Sequence, residues 1–438
     1  MVADDGSGAA NATSDQTFVI NVNNVTPTTP SDDDTADNEV AENAATGTVV
    51  GIDVSSTDPN GTLSGGNVTF SLSDDAGGRF QIDPNTGEVT VANGSLLDYE
   101  AATSHNITVE ANDGSGAANA TSSQNFTINL TDVRRMISGM VFVDVNGDGV
   151  MQATEPGIDG VTVELTGVEG SQVDTTSMGG DYAFEVGDEF GTYQITETQP
   201  TGVNDGVEIL GNLGGTANPL GANDVMELKL DGVTDATDYD FAELGQEISR
   251  GDTATIGFWQ NKNGQALIKE GGDALVSWLN ANFGNVVGST FSDGFGGDDA
   301  GEVADFYKNE FFKKKLKGTA KVDAQFMSLA FATFFTSSNL SGGSVAASYG
   351  FTVTQTGIGT KVVNVGSSGA AFGVADNTDM TIMALLLATN NLTGSDTNGD
   401  GYSNVYDSNG DGVLDDAEKA LRAKANVVYS DINEGGDI

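Results

Sequence analysis

The run Asp144-Val145-Asn146-Gly147-Asp148-Gly149-Val150, closed by Glu155, places oxygen atoms at positions 1, 3, 5, 7 and 12 of one loop. Ca²⁺ takes six to eight oxygens at about 2.3–2.6 Å and alternate residues of a tight loop point inward, so this spacing reads as a calcium loop. Gly149 supplies the sharp turn at position 6. The pattern recurs as Asp407, Asn409, Asp411, Gly412, Val413, Asp415 and Glu418. A weaker copy, Asp396, Asn398, Asp400, Gly401 and Tyr402, ends on Asp407, a shorter acid than the usual bidentate Glu. Val150, Tyr402 and Val413 would contribute backbone carbonyls. Three loops predict a chain whose fold depends on calcium.

Charge gives those loops a purpose. With 64 acidic and 17 basic residues, the formal net charge is −47. Such a surface repels nucleic acid and anionic membranes, so neither is expected as a partner. Self-repulsion opposes compaction unless cations or high salt offset it, which makes calcium structural. A halophile's solvated acidic surface is the competing explanation and does not exclude calcium. Disorder fits poorly with patterned stretches such as Val161-Thr162-Val163-Glu164-Leu165.

There is no Cys, hence neither disulfide nor thiolate metal site. The single His, His105, falls in an expected strand, leaving little material for His triads or His-rich zinc sites. A carboxylate-pair hydrolase needs only Asp or Glu, but in so acidic a chain any pair is uninformative, and no enzyme is expected. The first basic residue is Arg79, so the start lacks a secretory signal's charged region, and no apolar run reaches spanning length. Loops that bind at millimolar calcium point outside the cell, and the chain reads as a mature or excised piece of a secreted precursor.

The 438 residues predict two to four domains. Ala3 to Val25 recurs as Ala111 to Val133, a separation of 108 residues. That length suits a β-sandwich of about 100 residues. The repeated part reads as its last hairpin, with Phe18, Ile20 and Val22, and likewise Phe126, Ile128 and Leu130, alternating toward a core. Residues 1–26 are thus expected to be an orphan hairpin.

Residues 38–133 carry Ala41-Glu42-Asn43, Asp58-Pro59-Asn60-Gly61, Phe80-Gln81-Ile82-Asp83, Thr86-Gly87-Glu88-Val89, Leu97-Asp98-Tyr99-Glu100 and Val109-Glu110-Ala111-Asn112-Asp113-Gly114. This combination resembles a cadherin repeat, and the expected sandwich spans 27–134. The resemblance implies that Glu42, Asp98 and Glu100 ligate calcium at one end, and Asp58, Asn60 and Asp113 at the other. The family's linker acids appear only as Asn21, Asn23 and Asn24 before the repeat and as Asn129 and Asp132 after it, which implies weaker or fewer interdomain ions.

Residues 137–245 carry Ile137-Ser138-Gly139-Met140-Val141-Phe142 before the first loop, then Gly157-Ile158-Asp159-Gly160-Val161, Gly180-Asp181-Tyr182-Ala183-Phe184, Gly191-Thr192-Tyr193-Gln194-Ile195 and Tyr239-Asp240-Phe241. They resemble the SdrD B-like domain of bacterial surface proteins, giving a second sandwich over 135–246. The first strand carries no Lys, so the isopeptide crosslink of related Cna B-type domains is not expected.

From about Glu247 amphipathic, aromatic-rich stretches replace alternation, predicting a mainly helical region over 247–438. Helices are expected at Gly264–Lys269, Asp273–Asn282, Val303–Lys317, Val322–Ser337, Met380–Asn390 and Asp416–Ile432, with a hairpin-like stretch at Phe351–Val365. The loop insert 396–418 shares Asp407 without an intervening helix and so resembles thrombospondin type 3 repeats. Lys308, Lys313, Lys314, Lys315, Lys317 and Lys321 cluster in one stretch, either a solvated helix face or a dock for an acidic neighbouring copy.

The architecture expected is therefore multidomain, two all-β sandwiches followed by a mainly α region. The expected function is a calcium-stabilised extracellular structural protein, a subunit of a surface fibre, sheath or biofilm matrix that polymerises by strand addition or charge docking, with calcium stiffening its junctions. The alternative is a ligand-binding adhesin fragment recognising carbohydrate or another cell surface. An exposed Trp259 or Trp278 in a groove would favour the adhesin, and burial of both a plain core.

Overall fold

Period-two alternation is the physical origin of both sandwiches. In Thr162–Gly167 and Asp181–Val186 every second side chain is buried, because successive residues of a strand face opposite sides of a sheet. A computed structural model describes all residues except 1, 5, 11–12, 22, 62–66, 188–190, 219–223, 233, 289–290, 292–298 and 315–320. Its contacts divide the chain into two compact units, Met1–Val133 and Arg134–Ile438.

In the first unit, one sheet orders Glu39–Ala41, Thr121–Thr131, Ser104–Asn112 and Thr69–Asp74, and the other Ser31–Asp32, Val49–Ser55, Glu88–Val91 and Phe80–Ile82. Val50, Ile52, Val89, Ile107, Val109 and Ile128 fill the space between them. The repeated segment has two fates. In its second copy Ile128 and Leu130 are buried and Phe126 partly so. In the first copy only Val2–Asp4 and Thr13–Asp15 pair, and Phe18, Val19 and Ile20 are 61, 82 and 85% exposed. The expected strand with Phe18 and Ile20 facing a core does not form, for want of a sheet to bury it; Val22 lies outside the described residues.

The second unit begins with a sandwich of four strands (Asp181–Val186, Arg135–Asp144, Asp240–Gly245, Val203–Ile209) over five (Gly170–Thr175, Thr162–Gly167, Thr192–Glu197, Val225–Lys229, Thr216–Ala217). A bulge between Asn204 and Val207 interrupts one ladder. The helical region packs on this sandwich: Asn339 Nδ2 donates to the Asp159 carbonyl (2.6 Å), Gln355 Nε2 to that of Gly160 (2.6 Å), and the Val362 N–H to that of Gln246 (2.9 Å).

Every residue of the helix Val322–Thr336 is buried, as expected of an apolar helix wrapped by its neighbours. Around it lie Lys262–Glu270, Gly272–Val287, Asp299–Phe306, Ile382–Asn391 and Asp416–Gly435. Three expectations need correction. Val303–Lys317 is not one α-helix, because the α-helical Asp299–Phe306 continues as a π-helix over Tyr307–Lys313. Phe351–Val365 is not a hairpin; Val362–Asn364 pairs instead with Asp379–Thr381, which buries Met380 and removes it from the next helix.

Asp323 and Arg422, both buried, form a two-pronged ion pair (2.9 and 2.5 Å). Arg422 also donates to the Val405 carbonyl (2.6 Å), and the Val405 N–H to Asp323 (2.9 Å), so the pair joins two helices to the loop insert. Truncating either partner strands a buried charge. Asp323→Ala or Arg422→Ala is expected to cost roughly 3–5 kcal/mol in urea unfolding, and joint replacement by apolar residues of similar volume far less.

Asp240 supplies a pH signature. Burial, with repulsion from Asp238 and Asp181, pushes its carboxyl from the ordinary 3.8 up to about 6. Between those values the folded chain holds a proton that the unfolded chain releases, so this contribution to stability falls as pH rises through that window. Asp240→Asn should flatten the dependence of the urea midpoint on pH between about 4 and 6; slopes identical to the parent protein's would contradict this.

Candidate metal centres

The loops at 144–155 and 407–418 close in the same way. In each, Oδ2 of the first aspartate accepts the N–H of the position-6 glycine, at 2.8 Å in both. In each, the terminal glutamate accepts the N–H groups of positions 2 and 9: Glu155 from Val145 (2.8 Å) and Gln152 (3.0 Å), Glu418 from Ser408 (2.8 Å) and Asp415 (2.7 Å). Asp144, Glu155, Asp407 and Glu418 are buried, whereas Asn146, Asp148, Asn409 and Asp411 are exposed. Gly149 and Gly412 take φ of 69° and 77°, the left-handed region that glycine enters without penalty. Asp415 has a second task, capping the helix Asp416–Gly435 in a reciprocal box with Glu418.

The loop at 396–407 is the looser copy. Asp396 accepts the N–H groups of Asn398, Gly399 and Gly401, and Asp400 that of Tyr402. No long carboxylate closes it, however, and its position-2 N–H, from Thr397, goes to the Gly410 carbonyl. Asp407, shared by the two tandem loops, is fully buried, and its Oδ1 has no hydrogen-bond donor. Burial, with Glu418 and Asp411 adding repulsion, raises its pKa. An orphaned carboxylate oxygen beside two further acids fits a hard cation, for which Asp407, Asn409, Asp411, the Val413 carbonyl and Glu418 would be the ligands.

In the first sandwich the structure brings Glu42 and Glu100 together with Asp132, one oxygen from each within 4.8 Å of the others. Desolvation, then repulsion from Glu42 and Asp132, pushes the Glu100 carboxyl up to about 7. Glu42 is buried and anchored by the N–H groups of Tyr99 and Val133, at 2.8 Å each. Asp98 lies outside that trio, exposed, accepting the Ala101 N–H (2.7 Å) in its turn. At the opposite end Asn60 and Asp113 meet the segment that precedes the sandwich: Asn60 Oδ1 accepts the Val25 N–H (2.6 Å), and Asn24 Nδ2 donates to Asp113 (2.9 Å), while Asp58 accepts the Asn60 N–H (2.7 Å). The Ser115 N–H and that amide hold the Asp113 carboxyl below the usual range. An amide donor thus occupies one oxygen of Asp113.

Lys314 reaches the second loop: its Nζ donates to the Tyr402 hydroxyl (2.7 Å), which donates to Glu310 (3.0 Å). Lys321 lies over the Phe312 ring, while Lys315 and Lys317 fall outside the described residues. No spacing in the sequence announced these contacts.

Residues 37–131 match the family model of the cadherin domain, and residues 135–215 that of the SdrD B-like domain. Among relatives, human cadherin-related family member 2 is 39% identical over 101 residues, 23% of this chain and 8% of that protein. Mouse cadherin-related family member 1 is 35% identical over 108 residues, 23% of this chain and 12% of that protein. The chain therefore spans only a small part of these relatives. Among solved structures, mouse cadherin-23 EC22-24 shares 22% identity over 39% of this chain and 59% of its own, with a TM-score of 0.22. The third cadherin domain of human protocadherin 7 shares 19% over 27% of this chain and 95% of its own, with a TM-score of 0.20. The chain thus carries a cadherin domain followed directly by an SdrD B-like domain.

Proposed function

We propose that this chain is a calcium-stabilised extracellular structural protein, a subunit of a surface fibre, sheath or matrix. The observation that carries the reading is the matched closure of the loops at 144–155 and 407–418, two oxygen-lined cradles buried at both ends in a chain of net charge −47. The cadherin and SdrD B-like matches support an adhesive setting. The tandem loops sharing Asp407 act in the manner of thrombospondin type 3 repeats. With the ion bound, the loop carboxylates hold it and their backbone donors hold them in place, offsetting repulsion that would otherwise loosen both units.

Polymerisation follows from the N-terminal segment. Phe18, Val19 and Ile20 repeat a strand that is sheet-forming in the second copy yet stand exposed, so this segment adds a strand to a sheet of an adjacent copy. The lysines from Lys308 to Lys321 give a secondary dock.

The competing adhesin reading draws on one observation. Trp259 is fully buried, but Trp278 is half-buried in a groove of about 440 Å³ with Asn282, Thr333, Asn339 and Thr360. Binding of a glycan that Trp278→Ala abolishes would favour that reading.

Calcium added to the chelated protein should raise the unfolding midpoint, through a gain in unfolding free energy of about 2.7 kcal/mol per site at a hundred times the dissociation constant. Asp144→Asn should lose about one such share. Light scattering and electron microscopy should show calcium-dependent assembly that deletion of residues 2–25 abolishes; unchanged assembly would sink the strand-addition proposal.

A further inference from the structure

Two glutamates are shut inside the second sandwich with no counter-charge among the described residues. Glu197 ends the strand Thr192–Glu197, whose alternation turns Tyr193, Ile195 and Glu197 inward, and it is 4% exposed. Glu243, in the strand Asp240–Gly245, is 2% exposed. Among the described residues no N–H or hydroxyl donates to either carboxylate oxygen of Glu197, which faces the Glu243 carboxyl. Glu243 accepts from Gln199 Nε2. Asp224 completes a trio in which one oxygen from each residue lies within 4.8 Å of the others.

The surrounding backbone is shaped to hold this arrangement. Asp224 takes φ of 57°; its N–H donates to Glu208 (3.0 Å), and its carbonyl accepts the Glu197 N–H (2.9 Å). The bulge between Asn204 and Val207 carries Asp205, and bulges re-aim side chains. Asp205, Glu208 and Asp224 form a second, more exposed trio at the same spacing. Asn218 Nδ2 fixes Glu208 at 2.5 Å.

The unpartnered atoms around the trio are all oxygens. Both oxygens of Glu197, Oε1 of Gln199, Oδ1 of Asn218 and Oδ1 of Asp224 are buried without a donor. Among the described residues no lysine or arginine pairs with any of the five acids. An ionised carboxylate left this way costs several kcal/mol. Without a cation, burial and then the repulsion of Glu243 push the Glu197 carboxyl up to about 10, and burial pushes Glu243 up to about 7. An all-oxygen donor set in a chain without Cys, whose single His lies in the other unit, selects a hard cation over zinc or copper.

We propose that Glu197, Glu243 and Asp224 hold a buried divalent cation of the calcium class, with Asp205 and Glu208 at the outer side of the same site. None of these residues lies in the three loops, so the site stands or falls independently of them. It would clamp strands from both sheets of the sandwich, Thr192–Glu197 from one and Asp240–Gly245 from the other.

The test uses the full chain and calcium alone. Ions bound per chain are counted by native mass spectrometry, and unfolding midpoints are read in calcium and in EDTA. Glu197→Gln/Glu243→Gln should bind one ion fewer, with a lower midpoint in calcium and a higher one in EDTA, where only the trapped repulsion has been removed. An unchanged ion count with a midpoint raised in both conditions would overturn the proposal and leave the carboxyls as proton carriers. Should that variant fail to fold, Asp224→Asn decides, since Asn tolerates the left-handed backbone. At least a tenfold weakening of one site is expected, and an unaltered calcium isotherm overturns the site. Asp144→Asn, run in parallel, loses a different ion, so failure of the loop reading and failure of this one are told apart.

Discussion

A carboxylate that leaves water must find positive charge or hydrogen-bond donors, and 17 basic residues cannot serve 64 acids. The fold meets this constraint in distinct ways. Asp323 and Asp252 have their own cations, Arg422 and Lys361, both inside the helical region. Asp144, Asp396 and Glu42 use backbone N–H groups, which cost the chain no basic residue. Glu197 and Oδ1 of Asp407 have neither. That last group is where the chain's own resources stop, and it is there that the proposed divalent ions would supply the missing positive charge.

Local patterns were readable because they follow from local physics. Alternation marked the strands of both sandwiches, and the glycine at position 6 marked each loop because few other residues accept its backbone angles. Helices such as Val322–Thr336 were visible to within a residue because apolar residues such as Phe326, Leu329, Ala330 and Phe334 recur at helical spacing. The repeat showed that the first copy is an orphan, but not that its strand would stay unformed: Phe18 and Phe126 sit in near-identical strings, and among the described residues the second pairs with Ser104–Asn112 while the first stands exposed. Pairing is a property of the partner as much as of the segment.

The sites divide along the same line. Candidate ligands supplied within one loop, as in 144–155 and 407–418, were legible as spacing. Glu197, Asp205, Glu208, Asp224 and Glu243 come from four stretches of chain and share no motif, so only tertiary structure gathers them. A signal did exist, since a glutamate at an inward position of an alternating strand, as in Tyr193-Gln194-Ile195-Thr196-Glu197, breaks the apolar pattern. Asp132 beside Glu42 and Glu100 is similar: the chain leaving the last strand brings it to the two glutamates, while Asp98 accepts the Ala101 N–H and lies outside that trio.

The central helix Val322–Thr336 has consequences for how the molecule is made. Buried all round, it has no face that tolerates water, yet helices that cover it, Ile382–Asn391 and Asp416–Gly435, emerge from the ribosome afterwards. During synthesis, therefore, a naked greasy rod waits for its wrapping. Chaperone occupancy, or aggregation when synthesis is interrupted, should concentrate on this segment rather than on the early sandwiches, which can close on their own strands as they appear.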